Sequence, residues 1–301
     1  MKLLIATSFR PFGFSKNNDS YQQIFLNSLK NLNCDLTICT TQFDDDGVQE
    51  VLKSSGINYI YNNISRHSLP EGKKYSNQIV FKKALQEFCK IDSNYDFFLY
   101  SCSDILLPAN LKDVLLEQKN TMSVYLVYPN TLIKNGKILS YYNAIYGIDL
   151  IIFRLDKSKA HFFLKIIEDW KQYDWGINEN FLLAISDLLN LPIFNLIKKM
   201  DLIKFENNFS EIQEDRSWQI NSWKENQIYL INFLKKYNLS ILYAKGSYYF
   251  LLYKIFKFRD LNLRLLIIYI KFFLYYFPKN IFKFSKWKSF FIQSFTFKKI
   301  K

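Results

Sequence analysis

Four short polar stretches of this chain combine residue types that can do chemistry. Thr7-Ser8-Phe9-Arg10 offers hydroxyls and a guanidinium, Asp44-Asp45-Asp46 three adjacent carboxylates, and Ser101-Cys102-Ser103-Asp104 two hydroxyls, a thiol and a carboxylate. Tyr173-Asp174-Trp175-Gly176-Ile177-Asn178-Glu179-Asn180 brings two acids together with two large rings. Carboxylates can hold a hard divalent cation or accept a proton, and an arginine can face an anion. Each stretch also has an ordinary structural reading. Asp104 could cap a helix, the Asp44–Asp46 run could be a solvated turn, Arg10 a surface arginine, and an acid such as Glu179 favours a helix start.

Other chemistries are excluded early. Glycine is scarce at 8 residues, and neither G-x-G-x-x-G nor a lysine-bearing phosphate loop occurs, which argues against dinucleotide and P-loop sites. Cys34, Cys39, Cys89 and Cys102 have no C-x-x-C spacing and read as reduced, mostly buried thiols. With only His67 and His161, a histidine-rich metal site has no ligands.

The polar stretches sit where strands should end. Residues 2–6 read as a first buried strand rather than the start of a signal peptide, because the apolar run stops too soon. A helix capped by Asp19 or Ser20 follows, with Tyr21, Ile24, Phe25, Leu29 and Leu32 at helical period. Residues 35–40 form a second strand ahead of the acidic run, 48–55 a short helix closed by Gly56, and 57–61 a third strand. An amphipathic helix over 77–90, with Phe81, Ala84, Leu85 and Phe88 inward, leads to a fourth strand over 95–100. Strands are expected over 123–128 and 147–154. A helix with Phe162, Phe163, Ile166, Ile167 and Trp170 on its apolar face comes next, then one over 181–189. This alternation predicts an α/β domain with a doubly wound, mostly parallel sheet. In such sheets ligands lie beyond the carboxyl ends of strands, so the stretches at 7–10, 44–46 and 101–104 should converge on one crevice.

At this point the sequence resembles the family 2-like GT-A glycosyltransferases. The resemblance rests on the acidic turn Thr41-Gln42-Phe43-Asp44-Asp45-Asp46-Gly47 after the second strand. It rests more specifically on Leu99-Tyr100-Ser101-Cys102-Ser103-Asp104-Ile105-Leu106-Leu107-Pro108, which is similar to the family's metal-binding D-x-D segment. It covers roughly residues 1–190, and Ser101 and Ser103 stand where the family has its two usual carboxylates, leaving only Asp104. The resemblance implies a GT-A-like domain that binds a nucleotide-sugar donor through Ser8, Arg10, Asp44, Asp45, Ser101, Ser103 and Asp104. It implies Mn²⁺ or Mg²⁺ at Asp104, or alternatively neutralisation of the diphosphate by positive groups without metal. It further implies a catalytic base at Glu179, with Asp174 second, and a glycan or glycolipid acceptor beside Tyr173 and Trp175. The expected reaction is an inverting sugar transfer to a surface-glycan acceptor such as a lipooligosaccharide or capsule precursor. A nucleotidyltransferase of the same fold and an inactive membrane-bound scaffold are the rivals.

The last fifth of the chain has a different composition. The net charge is +13, yet residues 241–301 carry 13 Lys and Arg against one acid, Asp260, and 20 of the 55 aromatic residues. The first 240 residues hold 27 basic and 26 acidic side chains. Lys254, Lys257, Arg264 and Lys271 recur at spacings of three or seven, beside the apolar run 265–270. A wide apolar face edged with lysines and rings fits an anionic membrane surface better than nucleic acid, for which arginine is scarce. No stretch reaches the ~18 apolar residues of a spanning helix. The expected organisation is a catalytic domain over 1–210, divided into a nucleotide-sugar half (1–111) and an acceptor half (112–210). A basic-aromatic helical extension follows over 211–301, membrane-associating from about 241. The expected location is the cytoplasm, peripheral on the inner face of the cell membrane.

Overall fold

The computed structural model describes residues 1–13, 16–43, 47–64, 77–118, 122–134, 136–139, 148–168, 178–197, 199–206, 217–239, 241–244 and 267. In chain order the first half forms β1 (Lys2–Thr7), α1 (Lys16–Lys30), β2 (Asp35–Phe43), α2 (Val48–Ser55), β3 (Asn58–Ile64), α3 (Asn77–Cys89) and β4 (Phe97–Ser101). Then come β5 (Ile105–Leu106), α4 (Leu111–Glu117), β6 (Ser123–Val127), β7 (Pro129–Lys134), β8 (Lys137–Leu139), β9 (Leu150–Arg154) and α5 (Lys157–Ile167). Helix α6 (Asn178–Leu188), β10 (Ile193–Asn195), β11 (Leu202–Glu206), α7 (Ser217–Lys236) and a 3-10 turn (Ile241–Ala244) complete the described elements.

The central sheet has seven strands in the order β10-β6-β9-β4-β1-β2-β3. Its strands are parallel except β9, which runs antiparallel to both neighbours. This is the mixed α/β architecture with a largely parallel sheet that the strand–helix alternation predicts. The chain moves from β1 outward through β2 and β3, then returns to add β4 on the other side of β1. The topological switch point therefore lies between β1 and β4, where an open α/β sheet forms its crevice.

Both faces of the sheet are covered, which explains why β1 reads as an unbroken apolar run. Leu3, Leu4, Ile5 and Ala6 are all fully buried. Side chains alternate between faces with period two. Leu3, Ile5, Ile38, Leu99 and Ile152 join Phe25, Leu26 and Leu29 of α1, Leu52 of α2 and Leu111 and Leu115 of α4 in one core. The opposite face is aromatic: Phe98 and Phe153 of the sheet meet Phe81 of α3, and Phe163 of α5 packs on Phe153. Phe162 departs from the expected apolar face and is 45% exposed, since only Phe163, Ile166 and Ile167 of that turn point to the sheet.

One local signal acts as expected, one helix takes a cap that was not foreseen, and one expected cap is absent. Gly56 closes α2 with φ 71°, the left-handed conformation that favours glycine at a helix C-terminus. Asp156 caps α5 by accepting the Lys159 amide at 2.7 Å. Helix α1, however, starts at Lys16, ahead of Asp19 and Ser20. Asp19 instead reaches back to accept the Gly13 amide at 3.0 Å, and Ser20 donates to the Lys16 carbonyl one turn earlier, so neither stands ahead of the helix as its cap.

A second sheet, ordered β5-β11-β7-β8, was not foreseen. It arises because the chain leaves β6 at that strand's carboxyl end and builds β7 and β8 beyond the central sheet. It then re-enters as β9 from the same edge. That detour forces β9 to run backwards, and it puts the residues just before β9 at the carboxyl ends of β4 and β6. Later β11 adds to this sheet, parallel to β7 and antiparallel to β5.

The chain divides into two compact units, Met1–Ala244 and Lys245–Lys301. Among the described residues no helix is long and apolar enough to cross a membrane. The expected basic helix around 261–270 lies outside the described residues, apart from Ile267, which is helical and exposed.

Candidate active site

Two buried glutamines tie the strand ends together. Gln42, near the end of β2, accepts the Phe9 amide at 2.8 Å and returns a bond from Nε2 to the Phe9 carbonyl at 2.8 Å. Thr40 Oγ1 donates to the same Gln42 oxygen at 2.9 Å. Gln22 of α1 accepts the Arg10 amide at 2.6 Å and donates to the Arg10 carbonyl at 3.2 Å. Its Oε1 also receives the Ser103 hydroxyl at 3.4 Å. The loop after β1 is thereby pinned to the end of β2 on one side and to the segment after β4 on the other. The convergence expected for residues 7–10 and 101–104 is present in these bonds; Asp44, Asp45 and Asp46 lie outside the described residues.

Within this crevice Ser8 and Arg10 are half-buried. The Arg10 Nη1 and the Thr7 hydroxyl are buried and have no hydrogen-bond partner among the described residues. An unpaired buried donor costs about 1–3 kcal/mol, more when charged, so Arg10 Nη1 lacks the partner that burial normally demands. Ser101 is buried and donates to the Cys102 carbonyl at 2.9 Å.

Asp104 is not a helix cap. The chain continues from it into β5, and α4 starts later behind Asn110. Its carboxylate instead joins a charged cluster that sequence reading missed. The Lys204 ammonium lies 3.3 Å from Asp104 Oδ1 and also bonds Asp149 Oδ1. Asp149 immediately precedes β9, and its carbonyl accepts the Cys102 amide at 3.0 Å, locking the end of β4 to the start of β9. Lys204 comes from β11, opposite Ile105 in antiparallel register, and the Phe205 amide donates to the Asp104 carbonyl at 2.9 Å. The signal available in sequence was slight: one acid at the head of an apolar strand, and one lysine inside Leu202-Ile203-Lys204-Phe205.

The electrostatics follow from burial and proximity. Burial opposes the charged amine of Lys204, but the Asp149 and Asp104 carboxylates outweigh it and hold its pKa well above the ordinary 10.5. Lys204 thus stabilises the fold fully below its unfolded pKa, and that contribution is lost only as pH rises through the higher folded value. Burial also pushes the Cys102 thiol well above its usual range; Lys204 opposes this and Asp149 and Asp104 reinforce it. At neutral pH Cys102 is a thiol, not a metal-binding thiolate.

The Cys102, Asp104 and Asp149 ligand atoms lie within 4.8 Å of one another, a spacing at which a metal could be held. Two carboxylates suit a hard cation such as Mg²⁺ or Mn²⁺. The space between them holds an ammonium, however. A divalent ion about 4 Å from a fixed unit charge meets about 8 kcal/mol of repulsion at an effective dielectric of 20. With Lys204 in place the residues do not fit a metal.

Of the other sequence candidates, Glu179 lies in the first turn of α6, whose backbone begins at Asn178. Its side chain, together with Tyr173, Asp174 and Trp175, lies outside the described residues. A surface depression of about 470 Å³ lined by Ser28, Asn31, Pro108, Lys199 and Asp201, among others, shares no residue with the charged cluster.

Replacing Arg10 tests the crevice directly. Arg10→Met should raise the KM for an anionic donor about 10- to 100-fold, the scale of one lost charged hydrogen bond, with little change in thermal midpoint. An unchanged KM would make Arg10 a bystander.

No family model matches the chain, and no curated protein matches it. Similar solved structures include Staphylococcus aureus TarS (1–349), at 16% identity and TM-score 0.49, covering 90% of this chain and 78% of that one. The inositol-1-phosphate CTP transferase from Thermotoga maritima aligns at 12% identity and TM-score 0.41, covering 78% and 96%. A mutant Drosophila β-1,4-galactosyltransferase 7 in complex with manganese, UDP-Gal and xylobiose aligns at 13% identity and TM-score 0.36, covering 71% and 74%. Sugar transferases and nucleotide transferases both occur among these neighbours. With all three scores below 0.5, the functional reading rests on this chain's own residues.

Proposed function

We propose that this chain is a glycosyltransferase that moves a sugar from a nucleoside-diphosphate donor to a hydroxyl of a glycan or glycolipid acceptor. The observation that carries this reading is the placement of Arg10, with its unpartnered buried guanidinium nitrogen, on a crevice that also holds Asp104. That crevice opens at the topological switch point of a largely parallel sheet, the usual place for a nucleotide. Ser8 and Arg10 would face the diphosphate, and Asp44 or Asp45 the base or ribose.

Glu179 would serve as general base. Helix α6 leads into β10, whose parallel pairing with β6 puts the start of β10 at the amino edge of the sheet. The first turn of α6 is then directed toward the carboxyl edge, where the donor would lie. As the acceptor oxygen bonds the anomeric carbon, Glu179 (or Asp174, second in line) takes its proton. The bond to the diphosphate breaks with its electron pair on the leaving oxygen. Attack from the opposite face inverts the anomeric centre. Tyr173 and Trp175 would stack on the acceptor. Arg10, aided by backbone amides, would stabilise the departing phosphate charge.

A transfer of a nucleotidyl group is the second reading. It calls for neutralisation of a departing pyrophosphate, and the loop 8–13 offers a single basic residue, Arg10. The deciding experiment incubates the full-length chain with a panel of nucleotide sugars, and separately with nucleoside triphosphates plus sugar phosphates. Release of nucleoside diphosphate from a nucleotide sugar supports the proposal. Pyrophosphate release alone favours nucleotidyl transfer, and silence in both panels favours an inactive scaffold.

The acceptor would be a surface-glycan precursor held at the inner membrane, with the basic-aromatic residues 241–301 resting on the anionic leaflet. Removing residues 245–301 deletes nearly all of the excess charge and should abolish sedimentation with anionic vesicles. Each engaged lysine contributes about 1 kcal/mol. Raising salt should weaken binding only in part, because apolar burial is not screened. Absence of vesicle binding by the full chain would refute the membrane role.

A further inference from the structure

The charge balance of the crevice is decided by a residue that no motif drew attention to. Lys204 reaches Asp104 and Asp149 from the second sheet, and its strand is fixed there by its pairing with β5 and the bond from the Phe205 amide to the Asp104 carbonyl. Its side chain is 24% exposed, while those of Asp104 and Asp149 are 21% and 9% exposed. Three separate segments (the end of β4, the start of β9 and the middle of β11) are thus built around one positive charge.

We propose that Lys204 is the resident cation of this cluster: its ammonium occupies the position between Asp104 and Asp149 that a divalent ion would take, and an ion enters only by displacing it. The donor atoms span less than 4.8 Å, which leaves room for one cation and not two. Two carboxylates and one ammonium carry a single net negative charge, so a second cation is held weakly. Without the amine the same oxygens present two negative charges to an ion and become a hard-cation site. Lysine and metal are therefore alternative occupants of one position. Cation binding is read without turnover, so its outcome and that of the transfer assay are scored independently.

The test uses Mn²⁺ alone as the probe and the full-length protein at neutral pH, with free Mn²⁺ followed by electron paramagnetic resonance. Lys204→Met and Lys204→Ala should each bind one Mn²⁺ per chain at least about 10-fold more tightly than the parent. Adding Asp149→Asn to Lys204→Met should return binding to the parental level. Because losing the ammonium leaves two carboxylates facing each other, the variants are also followed by thermal unfolding. Mn²⁺ should raise their midpoint and leave that of the parent unchanged, as an ion that binds only the native state must. Parental binding as tight as that of the variants overturns the proposal, as does tight binding that survives Asp149→Asn. A variant that stays unfolded in saturating Mn²⁺ overturns it too, since the ion would then not replace the lysine.

Discussion

An Asp104→Ala chain is expected to turn over its nucleotide-sugar donor about 10²–10³-fold more slowly than the parent, because the donor is proposed to lie against Asp104 and truncation unbalances the Lys204 charge held there. The fold should survive. Asp104 is partly exposed, and Lys204 keeps its bond to Asp149 when Asp104 is truncated. The backbone bond from Phe205 to the Asp104 carbonyl also persists, so stability should fall by about 1 kcal/mol or less. Steady-state kinetics beside a thermal melt separate the two effects. Near-parental turnover with every donor that the parent uses would place the chemistry elsewhere in the molecule.

The largest loss of stability is expected at Phe81. Its side chain is fully buried, and its ring centroid lies 5.0 Å from Phe98, 5.3 Å from Tyr100, 5.4 Å from Phe163 and 6.0 Å from Phe153. It joins α3 to β4, β9 and α5 at once. Phe81→Ala removes that shared surface and leaves a cavity that four rigid rings cannot close, costing about 3–5 kcal/mol. Denaturant unfolding measures the loss. Phe162→Ala is the control, because that ring is 45% exposed on the outer face of α5 and its removal should cost about 0.5 kcal/mol or less. Equal costs for the two substitutions would contradict the assignment of the aromatic core.

These substitutions probe two different properties of the same strand. Phe98 and Tyr100 of β4 face Phe81, while Ser103, just past the strand end, bonds Gln22 of α1. Packing along β4 therefore fixes where Asp104 stands, and a loose aromatic core would show itself first as a poorly placed carboxylate.

Much of the fold was legible in the sequence, because local patterns encode it. The apolar runs of β1 and β4 record burial on both sheet faces, Gly56 marks the end of α2, and the periodicity of α3 marks its inward side. The polar stretches after β1 and β4 were legible as one crevice, since parallel strands must end on the same edge. The partners within that crevice were not. Gln22 and Gln42 look like ordinary helix and strand residues until they bridge loops 12 and 33 positions away. Asp149 enters the cluster because a detour through the second sheet reverses β9. Lys204 enters because β11 pairs with the two-residue strand that follows Asp104, 100 positions before the lysine. No periodicity specifies which distant strands pair, or which way a returning strand runs; that follows from the order in which the sheets close over a common core. The sequence by itself determined the elements and the edge where polar residues collect, whereas only the tertiary structure brought Lys204 against Asp104 and Asp149.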